Sequence, residues 1–390
     1  MSTEFLQTEL AHLRESGLHR SLRRVDGEQG PTLIVDGRKV INFSSNNYLG
    51  LASHPAVREA AKAAIDLYGC GSGASRLISG NMALHEELED KLAGLKGAEA
   101  ALIFNSGFQA NTGIISALTG AGDVVFSDAL NHASIIDGCR LSRAKSVVYG
   151  HCDLNELEEG LKKAPHASRK LIVTESLFSM DGDEARLSDI VELAEAYGAM
   201  VMVDEAHATG VYDPDGAGLV GQLGLADRVL VQMGTLGKAL GGFGAYVAGS
   251  ATLRDLLINR CRSFIFTTSL PPAVVAMGIA ALELIEREPQ RRRALRDNCA
   301  RMRKGLENCG YKLGNSRSQI LPVMIGSASE CMGVSARLLE RGVFAQGIRP
   351  PTVPPGTSRL RVTLMATHTS EQIDGAVEIF RECQSVAPAK

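Results

Sequence analysis

Residues 171–207 read LIVTESLFSMDGDEARLSDIVELAEAYGAMVMVDEAH, and this stretch decides the fold. Leu171-Ile172-Val173-Thr174 is a short, continuous apolar run. From Leu187 to Tyr197 the apolar residues return at helical spacing. Met200-Val201-Met202-Val203 is a second continuous run, closed by Asp204. Strands covered on both faces read as unbroken apolar runs, not as alternation. Two such strands around a helix are the repeating element of an α/β sheet.

Outward from there the pattern recurs. Further strand candidates are Ala101–Phe104, Asp123–Phe126, Lys145–Tyr149, Arg228–Val231 and Ala245–Ala248, with helical periods in the gaps. The expectation is an α/β protein. A large domain with a mostly parallel central sheet is followed by a smaller C-terminal α+β domain. The first 50 residues differ. They predict an amphipathic helix through Phe5, Leu6, Leu10 and Leu13, then a hairpin from Thr32 to Phe43 turning at Asp36-Gly37. After Pro271-Pro272 a long helix runs into Glu286–Arg293, whose basic residues read as a solvated helix face rather than a polyanion site. The predicted divisions are 1–50, an N-terminal helix and hairpin; 51–288, the large domain; and 289–390, the small domain.

A hydrophobic content of 45% over 390 residues supports a sizeable core, and 22% charged residues are ordinary for a globular chain. The net charge of −3 predicts no nucleic-acid partner. Gly or charge interrupts every apolar stretch before a membrane span is reached. Met1–Leu6 shows no basic segment leading into a long apolar core, so no secretory leader is expected. Cysteines stand at 70, 139, 152, 261, 299, 309, 331 and 383, with no Cys-x-x-Cys pair. They read as reduced thiols in a cytoplasmic protein with no metal centre.

The chemistry lies at the ends of the predicted strands. Lys238 sits in Gly234-Thr235-Leu236-Gly237-Lys238-Ala239-Leu240-Gly241-Gly242, 34 residues after Asp204. A lysine among glycines can meet an aldehyde without crowding. An aspartate ending an apolar strand can hold a pyridinium nitrogen. These are the two chemical ends of a pyridoxal 5'-phosphate (PLP) site. A phosphate needs backbone N–H donors at a helix N-terminus, and Asn105-Ser106-Gly107-Phe108 follows a strand and opens a helix. His132, just after another strand, can stack on the ring. Ser179 and His207 can reach the phenolic oxygen. Each feature has a plainer alternative: a turn, a capping Asp, a local His, a surface Lys. The lysine run is no P-loop, because no Ser or Thr follows Lys238. It is their joint occurrence, in this order and each after a strand, that points to PLP.

With these residues the chain resembles the α-oxoamine synthases, fold-type I PLP enzymes that condense an amino acid with an acyl thioester and lose CO2. The resemblance runs from about residue 20 to 375. It rests on Asn42–Leu51, Gly71-Ser72-Gly73-Ala74-Ser75-Arg76, the His132 segment, Asp204-Glu205-Ala206-His207, Gly234–Lys238 and Arg359-Leu360-Arg361. It implies that Lys238 bonds the cofactor aldehyde and moves protons, that Asp204 pairs with the ring nitrogen, and that His132 stacks. Ser179 and His207 would surround the phenolic oxygen. Ser106, Gly107, Phe108 and Thr235 would hold the phosphate end, with Thr267 or Thr268 reaching the phosphate of a neighbouring subunit in a homodimer. Arg361 would bind the amino-acid carboxylate, with Asn46 nearby; Thr352 and Arg23 complete the substrate candidates. The stretch Gly347–Arg361, with Thr352, is most similar to the branch that joins L-alanine to a pimeloyl thioester, on CoA or a carrier protein, in biotin synthesis. Segments 132–138 and 234–242 are similar instead to the glycine C-acetyltransferase branch, and Asp213 stands where glycine is usual. The alternatives are therefore glycine with acetyl-CoA, then an aminotransferase, a β-lyase or a non-catalytic protein of the same fold.

Overall fold

The computed structural model describes residues 3–166 and 168–385. Contacts group the chain into two units: Asn46–Leu295, and Met1–Ser45 with Arg296–Lys390. The divisions expected from the sequence fall at 50/51 and 288/289, with the N-terminal segment apart.

The larger unit is built on seven strands: β1 (Ala100–Phe104), β2 (Val124–Asp128), β3 (Lys145–Tyr149), β4 (Lys170–Glu175), β5 (Met200–Asp204), β6 (Val231–Thr235) and β7 (Ala245–Gly249). They lie in the order β1-β7-β6-β5-β4-β2-β3. All neighbours run parallel except β7, which is antiparallel to both β1 and β6. Alternate residues of one strand enter opposite cores. Leu171, Val173 and Met202 join a cluster with Ile114, Ile115 and Leu257. Ile172, Val201 and Val203 join another with Leu161, Ile190 and Val191. That two-sided burial is why the strands read as unbroken apolar runs.

One expected strand is displaced. Residues Arg228–Val231 were expected to be extended, but Ala226–Arg228 is a 3-10 turn and the strand runs Val231–Thr235. Gly234 looked like turn glycine. It is a strand residue whose added Cβ would stand 2.5 Å from the Tyr246 hydroxyl on β7, so only glycine lets the two strands approach. The basic run also departs from expectation. Arg292 is 3% exposed rather than solvated. Its guanidinium donates to the carbonyls of Ile285, at 2.6 Å, and Pro214. Arg291 donates to the Leu49 carbonyl, 3.1 Å, and Arg293 alone of the three is exposed.

In the smaller unit, Thr32–Val35 and Arg38–Asn42 form the expected hairpin, with positive φ at both Asp36 and Gly37. Val343–Phe344 adds to it in parallel. A separate antiparallel sheet orders Ile320–Gly326, Ser358–Thr363 and Gln346–Ile348, packed with the helix Ala328–Glu340. The N-terminal helix, Glu4–Glu15, buries none of its residues. No helix among the described residues is long and apolar enough to cross a membrane.

Candidate active site

The C-terminal ends of parallel strands lie on one edge of a sheet, and the loops that leave them collect there. Behind β1, Ser106 caps the helix Gly107–Leu118 by accepting from Gln109 N at 3.2 Å. Behind β2, His132 caps Ala133–Ser142. β4 ends at Glu175, β5 at Asp204 and β6 at Thr235. Together these ends enclose a cavity of about 210 Å³. Lys238, Asp204, His132 and His207 line it, with Gly107, Phe108 and Thr235 at one end. Seven of the residues singled out in the sequence thus share one wall.

The electrostatics follow from a hydrogen-bonded chain. Asp204 Oδ2 accepts from Asn111 Nδ2 at 2.8 Å, and Oδ1 accepts from Ala206 N at 2.9 Å. Asn111 Nδ2 also donates to Ser134 Oγ, 2.9 Å, which lies 2.8 Å from His132 Nδ1. The same Nδ1 accepts from Ser134 N at 3.2 Å, so that nitrogen carries a lone pair. Burial lowers the His132 pKa, Lys238 adds to this and Asp204 opposes it. A neutral imidazole with a fixed plane results, suited to lie against a flat ring. His207 Nδ1 is 2.7 Å from the Tyr48 hydroxyl, which donates to Asn46 Oδ1 at 3.1 Å.

Two observations test whether these residues fit the expected PLP. The Thr235 hydroxyl is buried without a hydrogen-bond partner, beside the helix N-terminus that begins at Gly107. A Cβ at Gly107 would lie 2.9 Å from Thr235 Cγ2 and 3.2 Å from Met233 Cε, so glycine keeps the space between them clear. An anion at that point would meet backbone N–H groups and a spare hydroxyl. The residues fit the group.

Other expected residues stand elsewhere. Ser106, Ser179 and Asn46 are not part of the cavity wall. Thr267 and Thr268 meet Asn105 within the chain: its Nδ2 donates to Thr267 Oγ1 at 3.1 Å and to the Thr268 carbonyl at 2.7 Å. Arg361, Thr352 and Arg23 belong to the smaller unit. There, Arg361 is buried on Ser358–Thr363, Thr352 is exposed, and Arg23 pairs with Asp36 at 3.3 Å.

Among the cavity residues given no role from sequence, Glu175 and Asn111 shape its electrostatics. Glu175 sits opposite Asp204 across the β4–β5 pair, with Oε1 buried and unpartnered. Burial first, then the charge of Asp204, push its pKa up to about 8, against Lys238 and the amides of His132 and Ser179. The signal was available, since Glu175 closes an apolar run just as Asp204 does. Asn111, on the first helix, carried no such mark. Behind the wall, Lys96 makes a fully buried ion pair with Glu205 and donates to the Ala217 carbonyl.

Comparison with known proteins gives concordant findings. The family described as Aminotransferase class I and II matches residues 38–380. An 8-amino-7-oxononanoate synthase of Geobacter sulfurreducens is 55% identical over 377 residues, 96% of this chain and 96% of that protein. A serine palmitoyltransferase from S. paucimobilis, solved with a bound PLP–myriocin aldimine, superposes with a TM-score of 0.93 at 33% identity, over 98% of this chain and 97% of that one. The 8-amino-7-oxononanoate synthase of Francisella tularensis gives 0.76 at 28% identity, over 89% and 98%.

Proposed function

This chain belongs to the aminotransferase class I and II family and, within it, groups with the 8-amino-7-oxononanoate synthases, and we propose that it joins L-alanine to a pimeloyl thioester. The products are 8-amino-7-oxononanoate, the free thiol and CO2, in the service of biotin synthesis. The observation that carries the site is the single cavity that gathers Lys238, Asp204, His132 and His207 beside the spare Thr235 hydroxyl.

When bound, PLP supplies an aldehyde that couples to amines and a ring that withdraws electrons. Asp204, held by Asn111 and Ala206 N, would accept from a protonated ring nitrogen. His132, in the cavity wall, would stack on the ring. Ser179 and His207 are our candidates for the phenolic oxygen, and the Gly107 helix N-terminus with Thr235 for the phosphate. Lys238 Nζ, in the cavity wall, would hold the aldehyde at rest, take the alanine α-proton as base and return one as acid. Arg361 is our candidate for the alanine carboxylate, because a guanidinium grips a carboxylate in bidentate fashion.

We also read the protein as a cytoplasmic homodimer. Ile78 and Phe266 are 80% and 70% exposed on the larger unit, large apolar side chains that a second copy would cover. Thr267 and Thr268, beside Phe266, would then reach the partner's phosphate.

The test is thiol release by the PLP-loaded protein with alanine or glycine, each with pimeloyl-CoA or acetyl-CoA. Release with alanine plus pimeloyl-CoA alone supports the proposal. Preference for glycine plus acetyl-CoA, the reading favoured by segments 132–138 and 234–242, overturns it.

A further inference from the structure

Two loops reach the expected ring site: His132 lines the cavity, and the Ser179 amide approaches Glu175 in its wall. One leads from Asp128 at the end of β2 to His132; the other runs from Ser179 to Asp183 after β4. Between them stands His151, in the loop after β3. Its Nδ1 lies 3.0 Å from Asp128 Oδ1 and its Nε2 lies 2.8 Å from Asp183 Oδ2. With both nitrogens engaged, the ring cannot turn without losing a contact. Phe178, the neighbour of Ser179, meets it edge to face, with centroids 4.4 Å apart at 89°. Asp128 also accepts from Leu130 N and from Cys152 N, each at 2.8 Å. The loop beyond is tied to β4, because Asn131 Nδ2 donates to the Val173 carbonyl at 2.8 Å and Asn131 Oδ1 accepts from Glu175 N at 3.1 Å.

Burial opposes a charge on His151, but the hydrogen bonds to Asp128 and Asp183 outweigh it and hold the pKa up to about 12. The ring is an imidazolium that donates from both nitrogens. Asp128, His151 and Cys152 also have the composition of a metal site. The geometry favours a clamp: each ring nitrogen faces a carboxylate, at 3.0 and 2.8 Å, while Cys152 Sγ stands farther off at 3.9 and 3.8 Å.

We propose that His151 is a positioning residue that clamps the His132 loop to the Ser179 loop through Asp128 and Asp183, and so sets the slot into which the cofactor ring fits. It touches neither cofactor nor substrate. The inference rests on the PLP site proposed above and adds a residue that none of the expected motifs contains.

The test compares the parent with His151→Gln, Asp183→Asn and, as a control for lost stability alone, Leu161→Ala in the second core. PLP affinity and the pH midpoint of the visible cofactor band are measured in each. The clamp predicts about ten-fold weaker PLP binding and a moved midpoint in His151→Gln, as expected for losing hydrogen bonds to charged groups. Asp183→Asn, which keeps its shape and weakens one arm, should move the midpoint in the same direction and decides the matter if His151→Gln does not fold. Leu161→Ala should lower the melting temperature and leave the midpoint in place. A parent band with an unmoved midpoint in the clamp variants overturns the inference alone, as does an equal shift in Leu161→Ala. A parent without a visible band overturns the proposed function, and the clamp with it.

Discussion

Glu175 and Asp204 are neighbours across two strands, and two carboxyls in so dry a place do not both ionise. Glu175 keeps its proton well above the ordinary carboxylate range, to about pH 8. Unfolding frees it to ionise near its usual value. The folded apoprotein therefore gains from this proton at low pH and loses the gain as pH rises from about 4.5 toward 8. Glu175→Gln, which cannot ionise, should flatten the fall of the apoprotein's melting temperature across that window. A parent-like slope would show that Glu175 is ionised in the fold. At Lys238 the expectation concerns chemistry. Lys238→Ala should lower turnover by roughly 10²–10⁴-fold or more, while the fold stays intact by circular dichroism. Ordinary thiol release from that variant would refute the assignment of the base. The gathering of Lys238, Asp204, His132 and His207 in one cavity was legible because each stands at or just beyond a strand end and the expected chemistry needs its residue type. Asn111 was not, because its task is set by Asp204 and Ser134 on other elements, and helix-borne asparagine has no single meaning.

The helix Ala83–Lys96 ends in a charge with no access to water, since the Lys96 and Glu205 side chains are both 0% exposed. Burial favours the neutral amine, yet Glu205 prevails and raises the Lys96 pKa. Breaking such a pair strands the other charge and costs about 3–5 kcal/mol, whereas replacing both members by apolar residues can be neutral. Lys96→Met should accordingly lower stability by about that much in urea unfolding, and Lys96→Met/Glu205→Leu should recover most of it. If the single variant matches the parent, the pair is not held as charged. Nothing in the sequence singles out Lys96, because its partners, Glu205 and the Ala217 carbonyl, come from a loop more than a hundred residues later. Strand β6 is displaced from its expected place for a related reason: Gly234 and Thr235 have turn-like identities, and Gly234 is paired with Tyr246, twelve residues later on the adjacent strand.

At the scale of the molecule, the α/β class was written in the unbroken apolar runs. The joining of residues 1–45 with 296–390 was not, because the pairing of Arg38–Asn42 with Val343–Phe344 spans most of the chain and leaves no local trace. The exposed Phe266 bears on assembly. Phe266→Glu would place a charge in the apolar surface assigned to the second copy, and should shift the protein toward monomer in sedimentation velocity with weaker PLP retention. An unchanged dimer would move the interface elsewhere.

The reversed strand has a consequence for synthesis. β1 sits at the sheet edge and its only neighbour there is β7, so Phe104 waits for Ala245, about 140 residues later. A chain leaving the ribosome can pair β2, β4 and β5 as they emerge, while β1, which leads directly to Ser106 and Gly107, has no seat in the sheet. Ribosomes add roughly 5–20 residues per second, so this edge stays open for many seconds. The phosphate end and the lysine end of the cavity thus come together late. Nascent chains are exposed to chaperones, or to aggregation, until the very turn that bears Lys238 has been made.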